Sequence, residues 1–186
     1  MFAFLRRNPL RQAVENFYVE LAGAARNPHF FTVCNVPDTL EGRFEVLVLH
    51  AALVQLRLKT LAGDAEKVSQ LLTDSLFADL DAAIREAGVS DVGVPRKMKM
   101  LAEAYFGRLS AYEAMMKGER EVVPTLAKNV LATNDGAADH PGSIALSNYV
   151  AALAGMLQQK GLAGLLALRG QEIQVLTHPR VDALGQ

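Results

Sequence analysis

The chain has no tryptophan, a single cysteine and few aromatic residues, although 51% of its 186 residues are hydrophobic. One cysteine, Cys34, excludes an internal disulfide and a multi-cysteine zinc site. Because alanine and leucine supply much of the apolar content, the composition favours helices over sheets. The formal net charge of −1 provides no overall basic field, so we expect no nucleic-acid partner.

No apolar run approaches the roughly 20 residues that a membrane-spanning helix needs. The first residues, MFAFLRR, are too short and too soon interrupted by arginine to form a secretory signal. We therefore expect a soluble, cytoplasmic protein. For residues 1–7 we expect simple packing on the domain, with a peripheral membrane contact as the alternative, because apolar plus basic is an interfacial composition.

Sequence motifs of catalysis are also absent. The chain contains no phosphate-binding loop, dinucleotide-binding glycine pattern, HExxH zinc motif or nucleophile elbow. None of its four histidines has a carboxylate or another histidine at the spacing of a helical metal site. Asp135, Asp139 and His140 share one loop, and turn chemistry explains all three. We expect no enzymatic activity, no metal site and no cofactor.

The chain is organised around the stretch PDTLEGRFEVLVLHAALVQLRLK. Asp38 and Glu41 fit the D-x-x-E form of a capping box, with Asp38 as the N-cap. Within 46–54, only His50 is polar. A helix that is apolar on all sides belongs in the interior of a domain. We therefore predict a central helix over about residues 39–59.

Proline and glycine signals divide the rest of the chain into further helices. We predict them at about 9–26, 65–87, 95–117, from 120 or 124 to 133, from 141 or 142 to 160 and at 162–168, with a short helix or turn at 29–35. The predicted fold is all-α, a single-domain bundle of six to eight helices around the central helix. Residues 1–8 are predicted to be an N-terminal tail, 9–168 the helical domain and 169–186 a C-terminal tail.

The predicted helix over 95–117 has a core seam at heptad steps, formed by Met98, Ala102, Tyr105, Leu109, Tyr112 and Met116. Met100 and Met115 lie off this seam, where methionine can adapt to varied apolar partners. The helix begins with Arg96, Lys97 and Lys99, three cations that oppose the helix dipole. We expect packing against the acidic helix before it to compensate them, with an external partner as the alternative.

His50 has only apolar neighbours on its own helix, so we expect its hydrogen-bond partner to come from another helix, from water or from a ligand. We interpret it as a core or rim histidine bonded to a neighbouring group. The alternative is a small-ligand or haem-binding domain that uses His50 or Tyr105.

The chain contains four ordered blocks: PDTLEGRFE at 37–45, LFADLD at 76–81, GVSDVGVPRKMK at 88–99 and AEAYFGRLSAY at 102–112. Together they resemble the ubiquinol–cytochrome c chaperone family over about residues 27–112. Mitochondrial members of that family are assembly factors of the cytochrome bc complex (respiratory complex III), and with a small partner protein they hold newly made cytochrome b near the ribosome. The chain begins without their long N-terminal extension, so the resemblance implies a bacterial member at the inner face of the inner membrane.

The resemblance implies a non-enzymatic assembly factor that binds an apolar segment of newly made cytochrome b or of another membrane-protein client. A helical scaffold or regulatory protein whose apolar surface serves homodimerisation is the other hypothesis. The residues that match the family blocks, with Met100 added as an off-seam methionine, form the candidate partner-binding set: Asp38, Glu41, Arg43, Asp79, Arg96, Lys97, Met100, Tyr105 and Arg108.

Overall fold

The computed structural model describes residues 8–133 and 140–177. In these two ranges the chain forms nine α-helices and one 3-10 turn. They are α1 Pro9–Ala25, α2 His29–Thr32, α3 Leu40–Leu58, α4 Ala65–Glu86, α5 Val94–Met116, α6 Val122–Val130, α7 Pro141–Gln158, α8 Leu162–Leu166, α9 Gly170–Gln174 and the 3-10 turn Val175–Thr177. The predicted all-α bundle is confirmed, and α2, α8 and α9 are short segments of four or five residues.

Helix α3 is the centre of the bundle, as the sequence predicts. It contacts α1, α4, α5, α6 and α7. Every residue from Val48 to Gln55 is buried, including the polar His50 and Gln55. A helix that is apolar on nearly every side is most stable when other helices surround it. Each leucine or valine side chain left exposed would cost about 1.5–3 kcal/mol relative to burial.

Helices α1 and α4 pack on α3 and on each other through regular apolar stripes. On α1 the buried stripe includes Val14, Phe17 and Leu21. On α4 the residues at successive steps of four are all buried, as predicted: Val68, Leu72, Leu76, Leu80 and Ile84. The i, i+4 spacing places these side chains on one face, which explains why the pattern was readable from sequence.

The start of α3 differs from the prediction by one residue. Thr39, and not Asp38, is the N-cap: its hydroxyl accepts a hydrogen bond from the backbone N–H of Gly42 at 3.1 Å. Asp38 lies outside the helix and pairs with Arg43 at 2.7 Å. Gly42 allows this geometry, because a β-carbon there would overlap the carbonyl oxygen of Pro37.

Helix α5 is buried along one side, but its last turn differs from the heptad prediction. Met115 is buried and Met116 is exposed, the reverse of the expected assignment. Helix α6 covers the flank of α5 that carries Ala111, and Met115 follows Ala111 by one turn on that flank. The neighbouring helix therefore decides which of the two adjacent methionines is buried.

The C-terminal part of the described chain also packs on the bundle. Helix α9, which the sequence analysis placed in a C-terminal tail, lies against α1. The backbone N–H of Gly170 donates to a carboxylate oxygen of Glu20 at 2.7 Å. The helical domain thus extends beyond residue 168, because short, weakly patterned segments can still be held by a few specific contacts. Residues 1–7, 134–139 and 178–186, including Asp135 and Asp139, lie outside the described residues.

Candidate functional site

Two adjoining depressions form a continuous apolar groove, here called the α3–α4 groove. Leu40 and Phe44 of α3 and Leu80 and Ala83 of α4 border both depressions. One depression, of about 260 Å³, extends toward the start of α5. The other, of about 150 Å³, extends toward the end of α1. The remaining lining residues are Ala22, Ala25, Arg26, Glu41, Arg43, Leu47, Asp79, Ile84, Lys97, Met100 and Leu101.

The floor of the groove follows from helical spacing on α3 and α4. Leu40, Phe44 and Leu47 are three and four residues apart, so they lie on one face of α3. Leu80 and Ala83 provide the facing side of α4. Both depressions are open to solvent, although some of their apolar side chains, such as Ala25 and Leu80, are themselves buried.

Exposed apolar side chains mark the end of the groove near α5. Leu40 is 55% exposed and Met100 is 59% exposed, in a chain whose other large apolar residues are mostly buried. Exposed apolar residues that are grouped, and not scattered singly, are typical of binding surfaces. Met100, predicted as an off-seam methionine, therefore lies on the surface beside the groove.

Charged side chains of both signs border the groove. At the α5 end these are Glu41 and Lys97. At the α1 end Arg43 pairs with Asp38, and its guanidinium lies 5.5 Å from the centre of the Phe31 ring.

Asp79, also at the α1 end, accepts a hydrogen bond from the hydroxyl of Tyr18 at 2.7 Å, and it lies 3.9 Å from Arg26. Burial, together with the bond to this carboxylate, raises the pKa of Tyr18 above its ordinary value. Asp79 therefore has a structural role in joining α4 to α1 as well as a place at the groove.

The expected pairing between the basic start of α5 and the acidic helix α4 is not found for Arg96 and Lys97. Within residues 8–133 and 140–177, no carboxylate forms an ion pair with Arg96 or Lys97. The carboxylates of α4 pair elsewhere, and Asp81, for example, binds Arg85 on its own helix at 2.7 Å. Both cations are exposed and remain available to an external partner.

Two of the candidate residues, Tyr105 and Arg108, serve the interior of the bundle. Tyr105 is buried against the ring of Phe77, with its hydroxyl beside Thr73 and Gln55. Arg108 donates two hydrogen bonds to the carboxylate of Glu45, at 2.9 and 2.8 Å. These bonds raise the pKa of Arg108 and join α5 to α3.

His50 has a hydrogen-bond partner on each ring nitrogen. One of these partners lies on its own helix, a source that the sequence analysis wrongly excluded. Nδ1 lies 2.8 Å from the carbonyl oxygen of Val46 on the same helix, and Nε2 lies 2.6 Å from the hydroxyl of Tyr149 on α7. A carbonyl can only accept, so Nδ1 carries the proton and Tyr149 donates to Nε2. Since His50 and Tyr105 are both buried and His50 is fully bonded, neither is placed to bind haem in this fold.

Comparison with known proteins decides the family. The family model described as "Ubiquinol-cytochrome C chaperone" matches residues 32–169, well over half of the chain. The chain belongs to this family. The resemblance of the four sequence blocks is confirmed, and the match continues beyond residue 112 through α6, α7 and α8.

Two related proteins agree with this assignment. The crystal structure of the Cbp3 homolog from Brucella abortus superposes with a TM-score of 0.75 at 30% sequence identity, covering 88% of this chain and 90% of that chain. The ubiquinol-cytochrome-c reductase complex assembly factor 1 of Xenopus laevis is 24% identical over 103 residues, which are 55% of this chain. The chain matches 52%, about half, of the length of that curated relative.

The family match includes the α3, α4 and α5 sides of the groove, whereas Ala22, Ala25 and Arg26 precede it. Sequence reasoning chose Glu41, Arg43, Asp79, Lys97 and Met100, and the structure brings these five to the groove. It missed Leu40 and Phe44. Their i, i+4 spacing at the exposed front of the central helix was the available signal.

In the described part of this family member, no group of three or more histidine, cysteine, aspartate or glutamate residues is placed to hold a metal ion. Among its described helices, none combines the length and the apolar content that a membrane-spanning helix requires.

Proposed function

We propose that this protein is a non-enzymatic assembly factor for the respiratory cytochrome bc complex, and that its α3–α4 groove binds an apolar segment of newly made cytochrome b. Membership of the ubiquinol-cytochrome C chaperone family supports the first part. The groove supports the second part, because its floor is apolar and exposed apolar side chains border it.

The observation that carries the proposal is the exposure of Leu40 and Met100 beside the apolar floor of Phe44 and Leu80. Covering a half-exposed leucine or methionine stabilises a complex by about 1 kcal/mol, so a groove of this composition gains affinity from an apolar segment. Methionine adds tolerance of different side-chain shapes. This combination suits a chaperone, which must hold a segment temporarily.

The charges around the groove support the same client. A membrane-protein segment has an apolar stretch flanked by polar and charged residues. The rim offers Glu41 and Lys97 at one end and Arg43 and Asp79 at the other. Arg96 and Lys97 have no carboxylate partner among the described residues, which leaves them for the client. We place the protein in the cytoplasm at the inner face of the inner membrane, where such a client is made.

A deletion strain of the organism that encodes the chain tests the first part of the proposal. We expect reduced cytochrome bc complex in its membranes and recovery when the native gene is restored. A normal amount of the complex in the deletion strain would contradict the proposed function.

Groove variants test the second part. Leu40→Glu/Met100→Glu places two charges on the apolar surface, and we expect it to lose both complementation and recovery of cytochrome b in a pull-down from membranes. Ile144→Glu is the matched control, because Ile144 on α7 is 50% exposed and lies outside the groove. If the groove variant retains cytochrome b as well as the control does, the client site is elsewhere.

Mass measurement in solution separates the remaining hypothesis from the proposed one. A dimer that becomes a monomer in Leu40→Glu/Met100→Glu would show that the groove serves homodimerisation. A mass that is the same for the native protein and the variant leaves the groove free for a client.

A further inference from the structure

A second cavity, here called the α5–α6 cleft, lies at the other end of α5. It has a volume of about 330 Å³ and is bordered by Gly107, Arg108 and Ala111 of α5 and by Arg120, Pro124, Thr125, Lys128 and Asn129. Two of its α5 residues, Gly107 and Ala111, are small, and beyond the helix's own neighbouring residues no atom lies within 4 Å of the position that a β-carbon of Gly107 would occupy. The cleft is therefore large enough for a small group to enter between the helices.

Asn129 is the polar side chain that makes the cleft unusual. It is only 8% exposed as a whole residue, and its amide forms no hydrogen bond with any of the described residues, although its amide atoms still reach solvent. Such an amide can exchange a water molecule for an acceptor oxygen of a ligand. Asn129 borders the cleft, so its N–H groups can donate to a group bound there.

Two cations without carboxylate partners border the same cleft. Within the described ranges, neither Arg120 nor Lys128 lies within ion-pair distance of a carboxylate. Arg108 also borders the cleft, but its guanidinium is bound to Glu45. No carboxylate of the described residues borders the cleft. Glu119 and Glu121, the neighbours of Arg120 in sequence, are exposed and outside it.

We propose that the α5–α6 cleft binds a phosphate group, held by Arg120, Lys128 and the amide of Asn129. The three side chains together offer guanidinium, ammonium and amide N–H donors. A phosphate has at least three acceptor oxygens, whereas a carboxylate has two, so phosphate matches donors supplied by three different side chains. Arginine is suited to bidentate contacts with phosphate, and lysine adds a mobile charge.

Helical spacing on α6 supports this assignment. Thr125, Lys128 and Asn129 are separated by three and four residues, so they lie on one face of the helix, toward α5. The hydroxyl of Thr125 donates to the backbone oxygen of Glu121 at 2.6 Å and is not a donor for the ligand. The inference is independent of the proposed client groove, which lies near the opposite end of α5.

Titration of the full-length protein with glycerol 3-phosphate tests the proposal. Binding can be followed by calorimetry and by the side-chain amide signal of Asn129 in nuclear magnetic resonance spectra. We expect saturable binding, a shift of that amide signal, and at least about tenfold weaker binding in Arg120→Gln/Lys128→Gln, because two charge-assisted contacts are lost. Lys128→Gln alone changes an exposed residue and serves as a second variant if the double variant does not fold.

Arg11→Gln/Lys67→Gln is the matched control. It removes the same number of charges from α1 and α4, outside the cleft. If it weakens binding as much as the cleft variant does, binding is a general charge effect and the proposal is wrong. Absence of binding to every probe also overturns it.

Vesicles identify the source of the phosphate. The native protein and both double variants are sedimented with vesicles of phosphatidylcholine, with and without phosphatidylglycerol. Cleft-dependent binding to the phosphatidylglycerol vesicles assigns the site to lipid headgroups. Cleft-dependent binding of glycerol 3-phosphate without vesicle binding assigns it to a phosphate compound in solution.

Discussion

His50 shows how a single buried polar residue can determine the packing of several elements. Its two nitrogens are bonded to Val46 and Tyr149, and its ring meets Phe30 edge-on, with ring centres 5.4 Å apart. Burial lowers the pKa of His50 from 6.5 to about 4. The histidine is therefore neutral at physiological pH, and it holds α7 against α3 by a hydrogen bond that only a neutral ring can accept from Tyr149.

This lowered pKa predicts that the protein loses stability in mild acid. Between about pH 4 and 6.5 the unfolded chain binds a proton at residue 50 that the folded chain excludes. The free energy of unfolding should then fall as pH falls through this range, by up to about 1.4 kcal/mol per pH unit. Urea unfolding at a series of pH values measures the slope. In His50→Gln this component should vanish, and equal slopes in both proteins would contradict the prediction.

Arg108 gives a second prediction at this scale, because the structure assigns it an internal role. Arg108→Met leaves the mostly buried carboxylate of Glu45 without its partner. We expect a loss of about 1–3 kcal/mol in the free energy of unfolding.

Arg43→Met is the control for Arg108→Met, since its pair with Asp38 is exposed on both sides and should contribute less than about 1 kcal/mol. Chemical denaturation of both variants makes the comparison. A loss for Arg108→Met as small as that for Arg43→Met would show that the bond to Glu45 is not important for stability.

Several residues could be placed from sequence and others could not. The buried stripe of α4 was readable because every fourth residue is apolar. The burial of Met115 and Met116 was predicted the wrong way round. Periodicity alone cannot show which of two adjacent residues is buried when the covering helix, α6, is unknown. Tyr105 matches a family block but is buried, since a sequence match does not separate structural from contact residues.

At the scale of elements, two helix starts depend on glycine. A β-carbon at Gly42 would overlap the carbonyl oxygen of Pro37, and one at Gly142 would overlap that of Cys34. Both glycines thus hold the segment 33–39 close to the first turns of α3 and α7. No periodic sequence pattern indicates such a contact, so the position of this segment could not be predicted from the sequence. The helices on either side of it could be predicted.

Gly42→Ala tests this close approach. We expect it to destabilise the protein by about 1–3 kcal/mol, because the start of α3 must move away from Pro37. Gly155→Ala is the matched control in α7, where no atom lies within 4 Å of the new β-carbon. It should stabilise the protein by about 0.5–1 kcal/mol through helix propensity. Thermal unfolding measures both, and two changes of the same sign would contradict the prediction.

On the scale of the whole molecule, α5 carries a different surface at each end. Lys97 and Met100 border the α3–α4 groove, and Gly107 and Ala111 border the α5–α6 cleft. Met100 and Ala111 are about 16 Å apart along the helix axis at 1.5 Å per residue. The family match includes the cleft and the α3, α4 and α5 sides of the groove, although the sequence drew attention only to the groove.

Because of this separation, we predict that substitutions in one surface leave binding at the other surface unchanged. Leu40→Glu/Met100→Glu should lose cytochrome b and keep its affinity for glycerol 3-phosphate. Arg120→Gln/Lys128→Gln should show the converse. Pull-down and calorimetry on the same two preparations measure this. Loss of both activities in either variant, with the fold intact by circular dichroism, would mean that the surfaces are coupled.

Cys34 provides a chemical probe for the opening of segment 33–39. It is the chain's single thiol, it is fully buried, and burial raises its pKa to about 11. An alkylating reagent can therefore reach it only after a local opening, such as the lifting of segment 33–39 from the first turn of α7, and the alkylation rate reports how often such openings occur. The segment leads directly into Leu40. The same rate, measured with and without a bound client, shows whether filling the groove closes this part of the molecule.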